Sequence, residues 1–265
     1  MSPTVDHPWT SALVTGASSG IGRALAERLA RSGVALVLVA RRRDVLDELA
    51  TELTARSAGP VEVLAADLAE PSGRAAVAER LRSQENPIEL LVNNAGLGAA
   101  GPFVEGDLDR YRQIEAVNIE AVVELSYAVL GVMRARRRGW VLNVSSLGGH
   151  APGPRFAVYS ASKAFVTSFS ESLHEELRPD GVVVTVVCPG ATHTDFGSVS
   201  GATDGDLPGW LWQEPAEVAD EALAAVASGR AVRVTGLPNR ITGALSTVLP
   251  RAANRRIAGL VADRV

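Results

Sequence analysis

The feature that most constrains this chain is an alternation of short apolar runs with amphipathic stretches. Ser11–Thr15 and residues 34–40, 61–66, 88–92, 141–144 and 182–188 read as strands, and 231–234 as a last one. Between them, apolar residues return at helical spacing, as at Leu46, Leu49 and Leu53. Residues 34–40 are apolar throughout, which suits a strand buried on both faces. Strands alternating with helices imply right-handed crossovers and hence a parallel sheet. The expected fold is α/β: a single-domain, doubly wound parallel sheet of about seven strands with helices on both faces. Two helices are expected over 107–117 and 119–138, separated at Asn118. Another carries Tyr159 and runs to about Arg178, and Pro215 opens a further one. Neither an internal repeat nor a linker interrupts the pattern. Residues 1–10 read as a flexible end, 11–236 as the working domain, and 237–265 as a basic amphipathic helical extension of it.

Composition excludes more than it identifies. Of 265 residues, 46% are hydrophobic and 21% charged, so a packed core is affordable and disorder is not expected. A net charge of −4 gives no reason to expect nucleic acid. The basic run Arg134–Arg138 reads as solvated cations at a helix C-terminus, where the dipole favours them. Cys188 is the only cysteine, so no internal disulfide can form. The start of the chain lacks a signal-peptide pattern, and no run of about 18 apolar residues occurs. A cytoplasmic location is expected, and no metal site is.

The residues that carry chemistry sit where the strands end, the side on which parallel sheets bind ligands. The first strand feeds Gly16-Ala-Ser18-Ser19-Gly20-Ile21-Gly22, followed by a helical pattern. Glycines permit a sharp turn and close ligand approach, and a helix N-terminus offers N–H groups to phosphate. Asp67-Leu68 closes the third strand, Asn94-Ala95-Gly96 the fourth, Ser145-Ser146 the fifth and Pro189-Gly190 the sixth. Tyr159 lies four residues before Lys163, which is the only lysine among 26 Lys and Arg. On a helix these two share a face. A neighbouring ammonium is expected to pull a phenol below its usual value near 10, making Tyr159 an acid/base candidate.

Together these residues resemble the short-chain dehydrogenase/reductase family from about residue 11 to 235. Thr15–Gly22 is similar to its coenzyme turn, 93–96 to its sheet-stabilising motif, and Tyr159–Lys163 to its active-site helix. Ser146 precedes Tyr159 by 13 residues, the family's catalytic spacing, and is preferred over Ser145 on that ground. Pro189, Gly190, Thr192 and Thr194 resemble its nicotinamide-side loop. The resemblance implies a Rossmann-type fold and a catalytic set of Asn118, Ser146, Tyr159 and Lys163. Tyr159 would exchange a proton with the substrate oxygen and Ser146 would hydrogen-bond that oxygen. Lys163 would hold the ribose, and Asn118 a relay water. The implied coenzyme contacts are Gly16, Ser18, Ser19, Gly20, Ile21, Gly22, Asp67, Leu68, Asn94, Ala95, Gly96, Tyr159, Lys163, Pro189, Gly190, Thr192 and Thr194. After the second strand stands Ala40, not a carboxylate, followed by Arg41 and Arg42. A guanidinium there accommodates a 2′-phosphate, so NADP(H) is expected. The implied activity is hydride transfer between nicotinamide and a carbonyl or secondary alcohol, in an enzyme that is a homodimer or homotetramer. Alternatives are an NAD-preferring enzyme, an epimerase or dehydratase that uses its coenzyme transiently, and a coenzyme-binding protein without chemistry. The substrate pocket is expected from 97–103, 147–156 and 194–212, with 197–209 a mobile cover.

Past the resemblance, Leu237, Ile241, Leu245 and Leu249 recur at helical spacing before Pro250, and Ile257, Leu260 and Val261 suggest a second helix. From Arg230 onward the chain carries seven Arg and one acid, Asp263. A subunit contact is the expected role. A cover over the pocket and an anionic membrane surface are the other two readings.

Overall fold

The computed structural model describes residues 7–56, 59–201 and 208–262, apart from the side chains at 247, 248, 251 and 260–262. Seven parallel strands form one sheet: β1 (Ser11–Thr15), β2 (Ala35–Ala40), β3 (Val61–Ala65), β4 (Leu90–Asn93), β5 (Gly139–Val144), β6 (Val182–Cys188) and β7 (Val232–Val234). Their order is β3-β2-β1-β4-β5-β6-β7. The order reverses between β1 and β4, and there the carboxyl ends open a crevice. Helices α1 (Gly20–Arg31), α2 (Arg43–Arg56), α3 (Pro71–Arg82), α4 (Leu108–Glu115), α5 (Ala121–Arg136), α6 (Ala157–Leu177), α7 (Phe196–Ser200), α8 (Pro215–Ala227), α9 (Leu237–Val248) and α10 (Arg251–Ala262) follow in chain order.

Strand alternation sorts the core. Ala12 and Val14 of β1 join α1, α2 and α8 on one face, with Leu36, Leu38, Leu90 and Val92. Leu13 points the other way and joins Val37, Leu91 and Val141 against α3, α4 and α5. A side-chain period of two therefore feeds both layers from one strand.

Two expectations are corrected. The helix break at Asn118 is not a break: α4 and α5 form one rod joined by a π-turn, Ala116–Glu120. That rod is long and apolar enough to cross a membrane, but more than half of its most apolar window is buried in the fold. Residues 7–10 are not loose. Trp9 is buried edge-on against Trp140, and the Thr10 amide donates to Glu89 at 2.7 Å. The basic run at 134–138 is exposed at the C-terminal end of α5, as expected, and most of it is also partnered. Arg134 pairs with Asp180, Arg138 pairs with Glu89 and lies over Trp140, and Arg137 caps α5 in a left-handed conformation. The expected mobile cover falls partly on 202–207, outside the described residues. Flanking it are α7 and the Gly209–Leu211 turn.

Candidate active site

A cavity of about 930 Å³ follows the carboxyl ends of the strands. Its floor begins at the turn after β1. Gly16 has φ +67°, and a Cβ there would sit 2.7 Å from the Asn94 amide nitrogen. The turn is fastened to β4 by Thr15, whose hydroxyl accepts from the Asn94 and Ala95 amides at 3.0 Å and donates to the Val92 carbonyl. Ser18, Ser19, Gly20 and Ile21 line the cavity at the start of α1. Ser19, the N-cap, makes no side-chain capping bond, so the first turn keeps N–H groups for a ligand. Gly22 does not line the cavity. It packs beneath, where a Cβ would lie 2.2 Å from the Gly16 carbonyl oxygen.

At one end Ala40, Arg41 and Arg42 line the wall with Asp67 and Leu68. Among the described residues neither guanidinium forms an ion pair; Arg42 donates to the Ser18 hydroxyl at 3.1 Å. A guanidinium pair without carboxylates suits a phosphate. Asp67 closes its own turn by accepting from the Ala69 amide at 2.9 Å.

Along the middle lie Asn94, Ala95, Gly96, Ser146, Tyr159 and Lys163, with Pro189, Gly190, Thr192 and Thr194 opposite. Ser145 is spoken for: its hydroxyl donates to the Lys163 carbonyl and meets Thr167 at 2.8 Å. Ser146 lines the cavity with Tyr159, and its hydroxyl accepts from the Gly148 amide at 3.0 Å. Burial raises the Tyr159 phenol above its usual 10, and nearby Ser146 only opposes this. The expectation that Lys163 would lower it does not hold here. The ammonium donates to the Val144 carbonyl at 2.9 Å and sits 5.9 Å from the phenol ring centroid, over its face. Its own value falls from 10.5 to about 8, because burial disfavours the charge. Asn118 stands behind the wall. Its amide donates to the Leu97 carbonyl and Ser162, and its oxygen accepts from the Leu97 amide.

The sequence matches the short chain dehydrogenase family over residues 10–204. The chain belongs to that family. It is 37% identical over 195 residues to the very-long-chain 3-oxoacyl-CoA reductase of Anas platyrhynchos, covering 71% of this chain and 62% of that protein. The chain spans about three fifths of the length of two curated relatives that it matches. Its fold superposes on a short-chain dehydrogenase from Sphingobium yanoikuyae in complex with NADPH. There the TM-score is 0.81 at 37% identity, over 91% of this chain and 97% of the other. A bulky-bulky ketone specific alcohol dehydrogenase from Comamonas testosteroni gives a TM-score of 0.78 at 33% identity, over 92% and 96%.

Family and fold together are those of the NAD(P)-binding Rossmann type. Its pocket departs from expectation in detail. Leu97, Leu147, Phe156, Phe196, Val199 and Trp212 line it, but Phe103 is exposed, and His150, Arg155 and His193 do not line it. Phe196 rests against Tyr159, with ring centroids 5.1 Å apart. Thr242 and Ser246 of α9 close the far side. Sequence reading missed both as pocket residues. The one signal available was that they recur four apart on the helix whose apolar stripe drew attention.

Proposed function

We propose that this dehydrogenase reduces a bulky apolar ketone or 3-oxoacyl group with NADPH. The observation that carries the reading is that Ser146, Tyr159 and Lys163 line one cavity with Arg41 and Arg42, neither of which forms an ion pair among the described residues. The residues fit a dinucleotide. The uncapped start of α1 and the Gly16 and Gly20 turn suit a pyrophosphate, and Arg41 and Arg42 a 2′-phosphate. When bound, the reduced nicotinamide supplies the hydride. Tyr159 gives its proton to the substrate oxygen, so a carbonyl plus hydride plus proton becomes an alcohol. A phenol held above 10 keeps that proton at neutral pH, which supports reduction over oxidation. Ser146 steadies the oxygen as charge gathers on it. Lys163, a buried cation beside the phenol, would offset the phenolate left behind and hold a ribose. Asn118 has both amide hydrogens engaged, so it has no side-chain donor left for a relay water, which would be held by the main chain of the π-turn, where the ladder of helical bonds is loosened.

Apolar Leu147, Phe156, Phe196, Val199 and Trp212 support a large hydrophobic substrate. The named activities of the Anas and Comamonas relatives point the same way. The assembly proposed is a homodimer or homotetramer, for which exposed Val104, Leu108 and Tyr127 offer apolar surface. The test is a panel of aryl and alkyl ketones and 3-oxoacyl thioesters assayed with NADPH and with NADH. Turnover of bulky ketones with NADPH is expected. Turnover of none, or equal use of NADH, would overturn the assignment.

A further inference from the structure

Helix α9 has two working faces. Thr242 and Ser246 line the cavity, while Leu237, Ile241 and Leu245 form an outward stripe at 67%, 65% and 56% exposure. α9 packs against the Gly209–Leu211 turn, whose Trp210 is 68% exposed. Val199, which lines the same cavity, is also exposed, as is Ile257 on α10. Large apolar side chains therefore gather beside the mouth of the cavity and face solvent. Single exposed apolar residues need no explanation, but a collected patch does. The C-terminal segment that carries the α9 stripe has one sign of charge, while exposed Asp195 and Glu214 lie four residues from Val199 and Trp210. From 237 to 262 the chain has four Arg, at 240, 251, 255 and 256, and no Asp or Glu. Arg255 and Arg256 are exposed, and neither they nor Arg240 forms an ion pair with a described residue. The remainder of the protein is acidic: a net −4 with +6 from residue 230 onward leaves −10 elsewhere.

We propose that this face docks on an anionic lipid surface, with Leu237, Ile241, Leu245 and Trp210 entering the headgroup boundary and the arginines meeting the headgroups. An amphipathic helix with arginines beside an apolar stripe lies in such an interface, and a Trp ring suits its polar boundary. A second copy of the chain fits less well. A twofold contact through α9 would set the arginine segments of both copies against each other and close both cavity mouths. Docking would instead hold the mouth against the apolar phase from which a hydrophobic carbonyl would come. This departs from the subunit contact expected for the segment. It does not depend on the reductase reading, because it concerns a surface and not the chemistry.

The full-length protein is floated with phosphatidylcholine vesicles, with and without phosphatidylglycerol. The Ile241→Glu/Leu245→Glu, Trp210→Ala and Arg255→Glu/Arg256→Glu variants are run beside it. Turnover of a small soluble ketone and mass in solution are measured on each, as reports of folding and assembly. The expected result is binding to the anionic vesicles alone, weakened by salt and reduced at least about tenfold by the double Glu variant. Turnover and mass should not change. The proposal is overturned if wild type does not float with anionic vesicles. It is equally overturned if the double Glu variant floats as wild type does, or if that variant loses mass in solution while no form binds vesicles. The last result would return the face to a second copy. Docking without any carbonyl turnover would support this surface while counting against the reductase assignment.

Discussion

Replacing Lys163 by Met should abolish turnover and yet stabilise the coenzyme-free protein. The ammonium is buried, and its value drops from 10.5 to about 8. At about 1.4 kcal/mol per pH unit, keeping that charge in the fold costs about 3 kcal/mol at neutral pH. Met is close in length and carries no charge, so the cost disappears. Against this, the Val144 carbonyl loses its 2.9 Å donor, a loss of about 1–2 kcal/mol. The balance is a gain of about 1–2 kcal/mol at pH 7, or roughly 3–6 °C in Tm for a chain of this size. The sign with pH follows from proton counts. Between about 8 and 10.5 the unfolded chain holds the lysine proton and the folded chain has released it, so wild-type stability gains from Lys163 as pH rises through this window. The advantage of the variant should therefore shrink by about 2 kcal/mol between pH 7 and about pH 9.5. Urea unfolding of both coenzyme-free proteins at the two pH values measures this, and the difference between them cancels titrations common to both. A variant less stable at pH 7, or an advantage that grows with pH, would refute the claim that the site holds a costly buried charge.

The remaining predictions concern coenzyme, sterics, support and pH. Ala40→Asp/Arg41→Ala should shift the kcat/KM ratio toward NADH by at least about tenfold, with Arg42 retaining part of the phosphate affinity; an unchanged ratio would show that the guanidiniums do not read the phosphate. Gly22→Ala drives a Cβ to 2.2 Å from the Gly16 carbonyl oxygen, so it should cost about 1–3 kcal/mol in stability and weaken coenzyme binding, seen by thermal shift with and without NADPH. Arg74 is buried, donates to the Leu68 and Ala69 carbonyls and pairs with Glu120 and Glu124. Arg74→Ala orphans those carbonyls, with an expected loss of about 2 kcal/mol in denaturant unfolding. Reduction should lose rate as pH passes about 8, where the Lys163 ammonium deprotonates and can no longer offset a phenolate; a profile flat to pH 10 would remove that role.

Much of the fold was legible because a parallel sheet writes itself as apolar runs. Residues 34–40 could hardly be anything but a doubly covered strand, and β2 occupies Ala35–Ala40. The site was legible where chemistry demands one residue type, as with the only lysine. It was less so where position depends on what packs around a residue. Gly22 sits in the coenzyme-turn motif, yet its work is to let α1 approach Gly16, which spacing does not distinguish from ligand contact. Asn118 looked like a junction because its polarity interrupts an apolar rod; a π-turn absorbs one extra residue and lets the helix continue. The direction of the Tyr159 shift depends on burial and on where the ammonium points. Residue spacing records neither. Thr242 and Ser246 are small and polar, so their four-residue spacing alone does not mark them as a cavity wall.

The central claim is that hydride reaches a carbonyl carbon while Tyr159 supplies the proton. NADPH carrying deuterium at the transferable position, incubated with a bulky ketone substrate, tests it most directly by mass spectrometry of the product. Wild type should place one deuterium on the new carbinol carbon. Tyr159→Phe should bind NADPH, read by the fluorescence of the coenzyme, and form product at least about a hundredfold more slowly. An alcohol without deuterium, or a Phe variant retaining more than about a tenth of the rate, a barrier change of only about 1.4 kcal/mol, would contradict the account.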